Sequence, residues 1–234
     1  MEKYDKEIME TGNRGSLSYH EDEIKSLFHY CKANEFSELI VRRKQLYFSS
    51  PINFNDPFEY YVEEEVEKNK VEDITKKGIV CLSAAEPTKN TLMWSHYADK
   101  HKGLCFEFEK AEFELFYDDT EKRKVKYEIK KVDYETANKI PLLTKDSSWK
   151  YEMEYRIILD YEKTIKENKY QRTFIFEKQC LNKIYFGVNV SPDVIEKYKS
   201  LCTLFANDKE HRIQLYQMEI SGQYLFKEPI EIQY

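Results

Sequence analysis

The residues best suited to chemistry stand together near the middle of the chain: Glu152, Glu154 and Arg156, each two positions from the next. Two carboxylates beside a guanidinium can read a polar ligand, or stabilise a positive charge that develops as a bond breaks. The residues between and around them, Trp149, Tyr151, Met153, Tyr155 and Ile157, are large and apolar. A β-strand sends alternate side chains to opposite faces, so this pattern predicts a strand over 149–158. Its second face would carry Glu152, Glu154 and Arg156, roughly 7 Å from one to the next. The same pattern suits a solvated strand face with weak cross-strand ion pairs.

Three histidines compete for a role. His29 lies beside Tyr30 at the end of a short apolar run, just before Asn34, which can cap a helix. A histidine at that junction can donate to a ribose hydroxyl or a phosphate, and it can equally be a hydrogen-bonded core residue. His96 and Tyr97 fall on a helix predicted over Thr91 to Lys100 behind Asn90, with Gly103 placed to end it. His101 falls in the last turn of that helix, where the dipole favours it. The basic run Lys122-Arg123-Lys124, with Lys126, Lys130 and Lys131, reads as a phosphate contact or an exposed strand face. There is no G-x-G-x-x-G, no G-x-x-x-x-G-K-[ST], no H-E-x-x-H and no G-x-S-x-G.

The elements that would position these groups follow from periodicity. Short strands are predicted over Ser26–Cys31, Leu46–Ser49, Gly78–Ser83, Leu104–Phe108, Lys124–Lys130, Thr173–Glu177, Lys183–Gly187 and Arg212–Ile220. Helices are predicted from Asn34 to about Lys44, from Thr91, over 133–143, and from Pro192 to about Leu204. Strands alternating with about four helices imply an α+β fold on a mixed, mainly antiparallel sheet. Residues 1–22 read as a flexible lead-in, and 23–234 as a single α+β domain.

Charged residues are 34% of the 234, and hydrophobic ones 41%, which excludes a disordered chain. A formal net charge of −6 argues against a global grip on nucleic acid. The five cysteines show no C-x-x-C pairing, so no metal site is expected, and scattered reduced thiols point to the cytoplasm. The start Met-Glu-Lys-Tyr-Asp lacks an apolar core, so neither a signal peptide nor a membrane partner is expected.

Four segments, Ser26-Leu27-Phe28-His29-Tyr30, Phe54-Asn55-Asp56-Pro57-Phe58-Glu59, Met93-Trp94-Ser95-His96-Tyr97 and Thr144-Lys145 through Glu152-x-Glu154-Tyr155-Arg156, resemble the bacterial domain of unknown function 2971 family. More remotely, the order of elements is similar to ADP-ribosyltransferases, including a toxin branch that modifies DNA. That resemblance implies NAD as substrate and no metal. It matches His29 and Tyr30 to the first motif, Ser83 or Tyr97 to the second, and Glu152-x-Glu154 to the third. In this reading Glu154 stabilises the sugar cation and Glu152 orients or deprotonates the acceptor. His29 grips the adenosine ribose, Tyr30 or Tyr97 stacks on nicotinamide, and Arg156 keeps Glu154 ionised. The acceptor, protein or nucleic acid, stays open. The alternatives are an NAD glycohydrolase and a non-enzymatic interaction module.

Overall fold

Strand after strand in this chain alternates bulky apolar residues with polar or smaller ones, and the two sets leave a sheet on opposite sides. The computed structural model describes residues 24–60, 77–111, 127–131, 142–143, 145–159, 172–206, 210–222 and 225–234. In chain order the elements are β1 (Ser26–Cys31), α1 (Glu35–Arg43), β2 (Gln45–Tyr47), β3 (Gly78–Ser83), α2 (Thr91–Tyr97), β4 (Leu104–Glu109), β5 (Tyr127–Lys131) and β6 (Glu154–Leu159). Then come β7 (Thr173–Ile175), β8 (Leu181–Phe186), α3 (Pro192–Phe205), β9 (Gln214–Gln217), β10 (Ile220–Gly222), β11 (Leu225–Phe226) and β12 (Ile230–Ile232). Eight strands form one sheet in the order β12-β9-β8-β4-β1-β3-β6-β5, while β2 pairs with β7 and β10 with β11. Only β8 and β9 run parallel among the described pairs. The protein is α+β with a mixed, mainly antiparallel sheet, as the alternation predicts.

One face of the sheet is the main core. Leu27, Val80, Leu82, Phe106, Ile157 and Phe186 pack there against Ile40 and Val41 of α1 and Tyr198 and Leu201 of α3. Helix α1 starts where Asn34 accepts the N–H groups of Phe36 and Ser37, both at 3.1 Å. Ser37 Oγ accepts the Asn34 N–H in return, at 2.9 Å, completing a capping box. The Tyr198 hydroxyl donates to Ser37 Oγ at 2.8 Å and ties α3 to α1.

The other face carries the chemistry. One row of side chains crosses five strands: Glu154 on β6 lies opposite Ser83 on β3, Ser83 opposite Phe28 on β1, Phe28 opposite Glu107 on β4, and Glu107 opposite Lys183 on β8. The β1–β3 ladder holds register at that single pair, Phe28 with Ser83. Beyond it the two strands part.

Several expectations are revised. The strand over 149–158 is two elements: a 3-10 segment, Ser147–Glu152, and β6. Asp146 accepts the Ser148 N–H at 2.8 Å, and Met153 takes a left-handed backbone, φ 45°, before the strand begins. Local hydrogen bonding from an aspartate thus overrides the two-residue alternation. Tyr155 and Ile157 do bury on the core face as expected. Helix α2 ends at Tyr97 rather than Lys100, because Asp99, Lys100 and His101 all have positive φ. The helix predicted over 133–143 and the lead-in 1–22 lie outside the described residues, save 142–143, a turn and a bend. So does most of the basic run, of which Lys130 and Lys131 fall on β5.

Gly103 is needed for a reason other than a left-handed helix end. A Cβ built there would sit 2.2 Å from the Cys31 carbonyl oxygen and 2.9 Å from the Ala98 backbone. Neither neighbour is a side chain that can swing away. Gly103→Ala is therefore expected to destabilise the fold by about 2–3 kcal/mol. An unchanged urea midpoint would refute this.

Candidate functional site

Where β1 and β3 part, a cavity of about 280 Å3 opens. Glu152, Glu154, His29, Tyr30, Ser83, Tyr97 and Arg156 all line it. Asn53, Phe54, Asn55 and Glu59 line it from the turn-rich segment before β3.

The floor is a buried ionic cluster. The Lys145 ammonium lies 2.5 Å from Glu152 Oε2, 3.1 Å from Glu59 Oε1 and 3.3 Å from Glu154 Oε2. The Arg156 guanidinium grips Glu154 with two prongs: Nε donates to Oε1 at 2.7 Å and Nη2 to Oε2 at 2.9 Å. Nη2 also donates to Glu59, and Nη1 to the Leu142 carbonyl at 2.8 Å. Glu152 and Glu154 are each 3% exposed and Arg156 is 0% exposed. The solvated-face reading of this pattern is therefore wrong. Weak surface pairs need water around them, and this cluster has been taken out of it.

Three carboxylates face two cations in this cluster, and Glu152 and Glu154 shift in opposite directions. Burial pushes the Glu154 carboxyl up, but the paired Arg156 guanidinium and Lys145 outweigh it and hold it below the ordinary range. Burial dominates at Glu152, with Glu154 adding repulsion against the attraction of Lys145, and the carboxyl rises to about 7. Burial alone would lower the Lys145 ammonium, but Glu154, Glu152 and Glu59 together raise it. Folding thus protonates Glu152 relative to the unfolded chain. Its contribution to stability is present below the ordinary carboxyl value of 4.5 and is lost as pH rises through about 7.

The other groups divide into walls and working atoms. The Tyr97 hydroxyl donates to Glu152 Oε1 and accepts from Asn55 Nδ2 at 3.1 Å. Burial and Glu152 both raise its pKa, so it stays a hydroxyl. His29 Nδ1 lies 3.2 Å from the Cys81 carbonyl oxygen, which can only accept, so Nδ1 carries the proton. Burial lowers its pKa, leaving a neutral ring whose Nε2 is an acceptor. By register the His29 side chain leaves β1 on the face opposite Glu154. The two share one cavity because the ladder between β1 and β3 is open.

Tyr30 and Ser83 line the cavity with their hydroxyls engaged on the protein itself. Tyr30 is buried edge-on to Trp94, with ring centroids 5.3 Å apart, so it forms a wall. Ser83 Oγ donates to the Glu152 carbonyl at 2.6 Å and accepts the Ala85 N–H at 3.0 Å. Both its functions are used on backbone, which fixes where Glu152 stands. His96 is bound to the Tyr151 hydroxyl at 2.8 Å, and His101 lies 3.0 Å from Ser95 Oγ. Neither lines the cavity.

Sequence reasoning did not nominate Glu59, Lys145 or Asn55. The signal was present, since all three stand inside the segments that carry the family resemblance. Glu59 arrives through a 3-10 turn, Pro57–Tyr60, begun by Asp56, whose carboxylate accepts the Phe58 N–H at 2.9 Å. The five cysteines are free thiols. Among the described residues no group of His, Cys, Asp and Glu could hold a metal ion, and no helix is long and apolar enough to cross a membrane.

No curated protein and no solved structure matches this chain. Residues 93–157 match the family model described as Protein of unknown function (DUF2971). That segment supplies Tyr97, Lys145, Glu152, Glu154 and Arg156 to the cavity, and over it the chain is similar to the domain of unknown function 2971 family.

Proposed function

We propose that this cavity cleaves the nicotinamide–ribose bond of NAD and passes the ADP-ribose to an acceptor. The observation that carries this reading is the pairing at one ammonium of Glu154, locked as an anion, with Glu152, poised near neutrality. Neighbouring carboxylates driven apart in pKa are the arrangement that glycosidic bond cleavage uses.

The C1′–N bond breaks and its electron pair goes to the ring nitrogen, so nicotinamide leaves neutral. The sugar becomes oxocarbenium-like. Glu154 opposes that charge through its field, because Arg156 and Lys145 already occupy its oxygens. An acceptor oxygen or nitrogen bonds to C1′, and its proton passes to ionised Glu152. Tyr97 holds Glu152 in place and offers a ring face to the nicotinamide. His29 Nε2 accepts from a ribose hydroxyl. With water as acceptor the same site is a glycohydrolase.

The test is to incubate the protein with NAD and measure released nicotinamide across pH. The rate is expected to climb through about pH 7, as Glu152 ionises, and then level off. Glu152→Gln should abolish that limb. Neither binding nor consumption of NAD would defeat the proposal. Binding without consumption would leave an interaction module.

A further inference from the structure

A second cavity, of about 420 Å3, opens on the same sheet face and shares Phe28 with the first. Its floor is Glu107, which is 6% exposed. Ser26 Oγ donates to Glu107 Oε1 at 3.0 Å, Lys183 Nζ to the same oxygen at 3.1 Å, and the Tyr185 hydroxyl to Oε2 at 2.7 Å. A carboxylate has about four lone-pair sites, so Oε2 keeps one. This carboxylate lines an open cavity.

We propose that the second cavity takes the adenosine half of the same dinucleotide, with Glu107 Oε2 accepting one ribose hydroxyl. The inference rests on the NAD reading of the first cavity. That cavity, at about 280 Å3, holds a ring and a sugar but not a whole dinucleotide. Glu154, Ser83, Phe28 and Glu107 stand in one row on successive strands. Glu154 and Glu107 are thus three strand spacings apart, roughly 14 Å, a span that two riboses joined through a pyrophosphate can cover. Carboxylates are the groups that read ribose hydroxyls in other dinucleotide sites. Lys25 and Lys183 line the second cavity together with Glu86 and Glu228; Lys183 is paired with Glu107, so Lys25 is the cation that would meet a pyrophosphate. The adenosine ribose, expected at His29, falls to Glu107 instead. A 2′-phosphate would meet the Glu107 anion, so NAD is used in preference to its 2′-phosphorylated form.

The probe is ADP, which has the adenosine half and no nicotinamide ribose. Calorimetry should show ADP binding to the intact protein. Glu107→Gln should weaken it by about tenfold or more, since a charged hydrogen bond is lost. Thr88→Trp, at the half-exposed rim, should block it by bulk while the unfolding midpoint holds. Glu107→Gln should also narrow the preference for NAD over the 2′-phosphorylated form. No ADP binding, or an affinity that neither variant moves, overturns the site even if nicotinamide is released. ADP binding that both variants weaken, without nicotinamide release, sustains the nucleotide site and removes the reading of the first cavity.

Discussion

Glu154→Gln is expected to slow nicotinamide release from NAD by about a hundredfold to a thousandfold, the usual loss when one electrostatic stabiliser is removed. The substitution preserves shape, removes the charge, and turns one amide NH2 toward the Arg156 or Lys145 donors. Arg156 keeps Glu59 and the Leu142 carbonyl as partners, and Lys145 keeps Glu59 and Glu152. The cluster then balances with two carboxylates against two cations, so the fold should persist. What disappears is the negative field under the reacting sugar. The loss should appear in kcat, because the charge it opposes exists only in the transition state. A variant that turns over NAD at the parent rate would remove Glu154 from the chemistry.

Arg156→Ala is expected to destabilise the protein by about 3–5 kcal/mol. The guanidinium is fully buried, and it is the two-pronged partner of Glu154 and a partner of Glu59. Removing it leaves two buried carboxylates with Lys145 as their remaining cation, and leaves the Leu142 carbonyl without this donor. The cost lies in the stranded charges more than in the lost contacts. Adding Glu59→Gln and Glu154→Gln to Arg156→Met, which restores apolar volume, should therefore recover much of the stability. Urea unfolding at neutral pH measures both. If the triple variant is no more stable than Arg156→Ala, stranded charge is not the cause.

The sequence by itself determined the layers of this protein. Alternation placed Tyr155 and Ile157 on one apolar face, which is buried in the core, and Asn34 capped its helix where a short polar side chain can take two N–H groups. These are local effects, settled within a few residues by side-chain periodicity and hydrogen bonding. Glu152-x-Glu154-x-Arg156 was legible as chemistry for the same reason. Yet the strand drawn through it was too long, because Asp146 and Met153 coil the chain before β6. Tertiary structure alone decided the site. Glu59 and Lys145 reach Arg156 and Glu154 across separate segments, and no spacing in the chain records that meeting. His29 joins Glu154 only because one ladder opens, a matter of register between strands some fifty residues apart. Whether a carboxylate is solvated or buried and paired depends on what the rest of the chain lays over it, and that is a property of the folded whole.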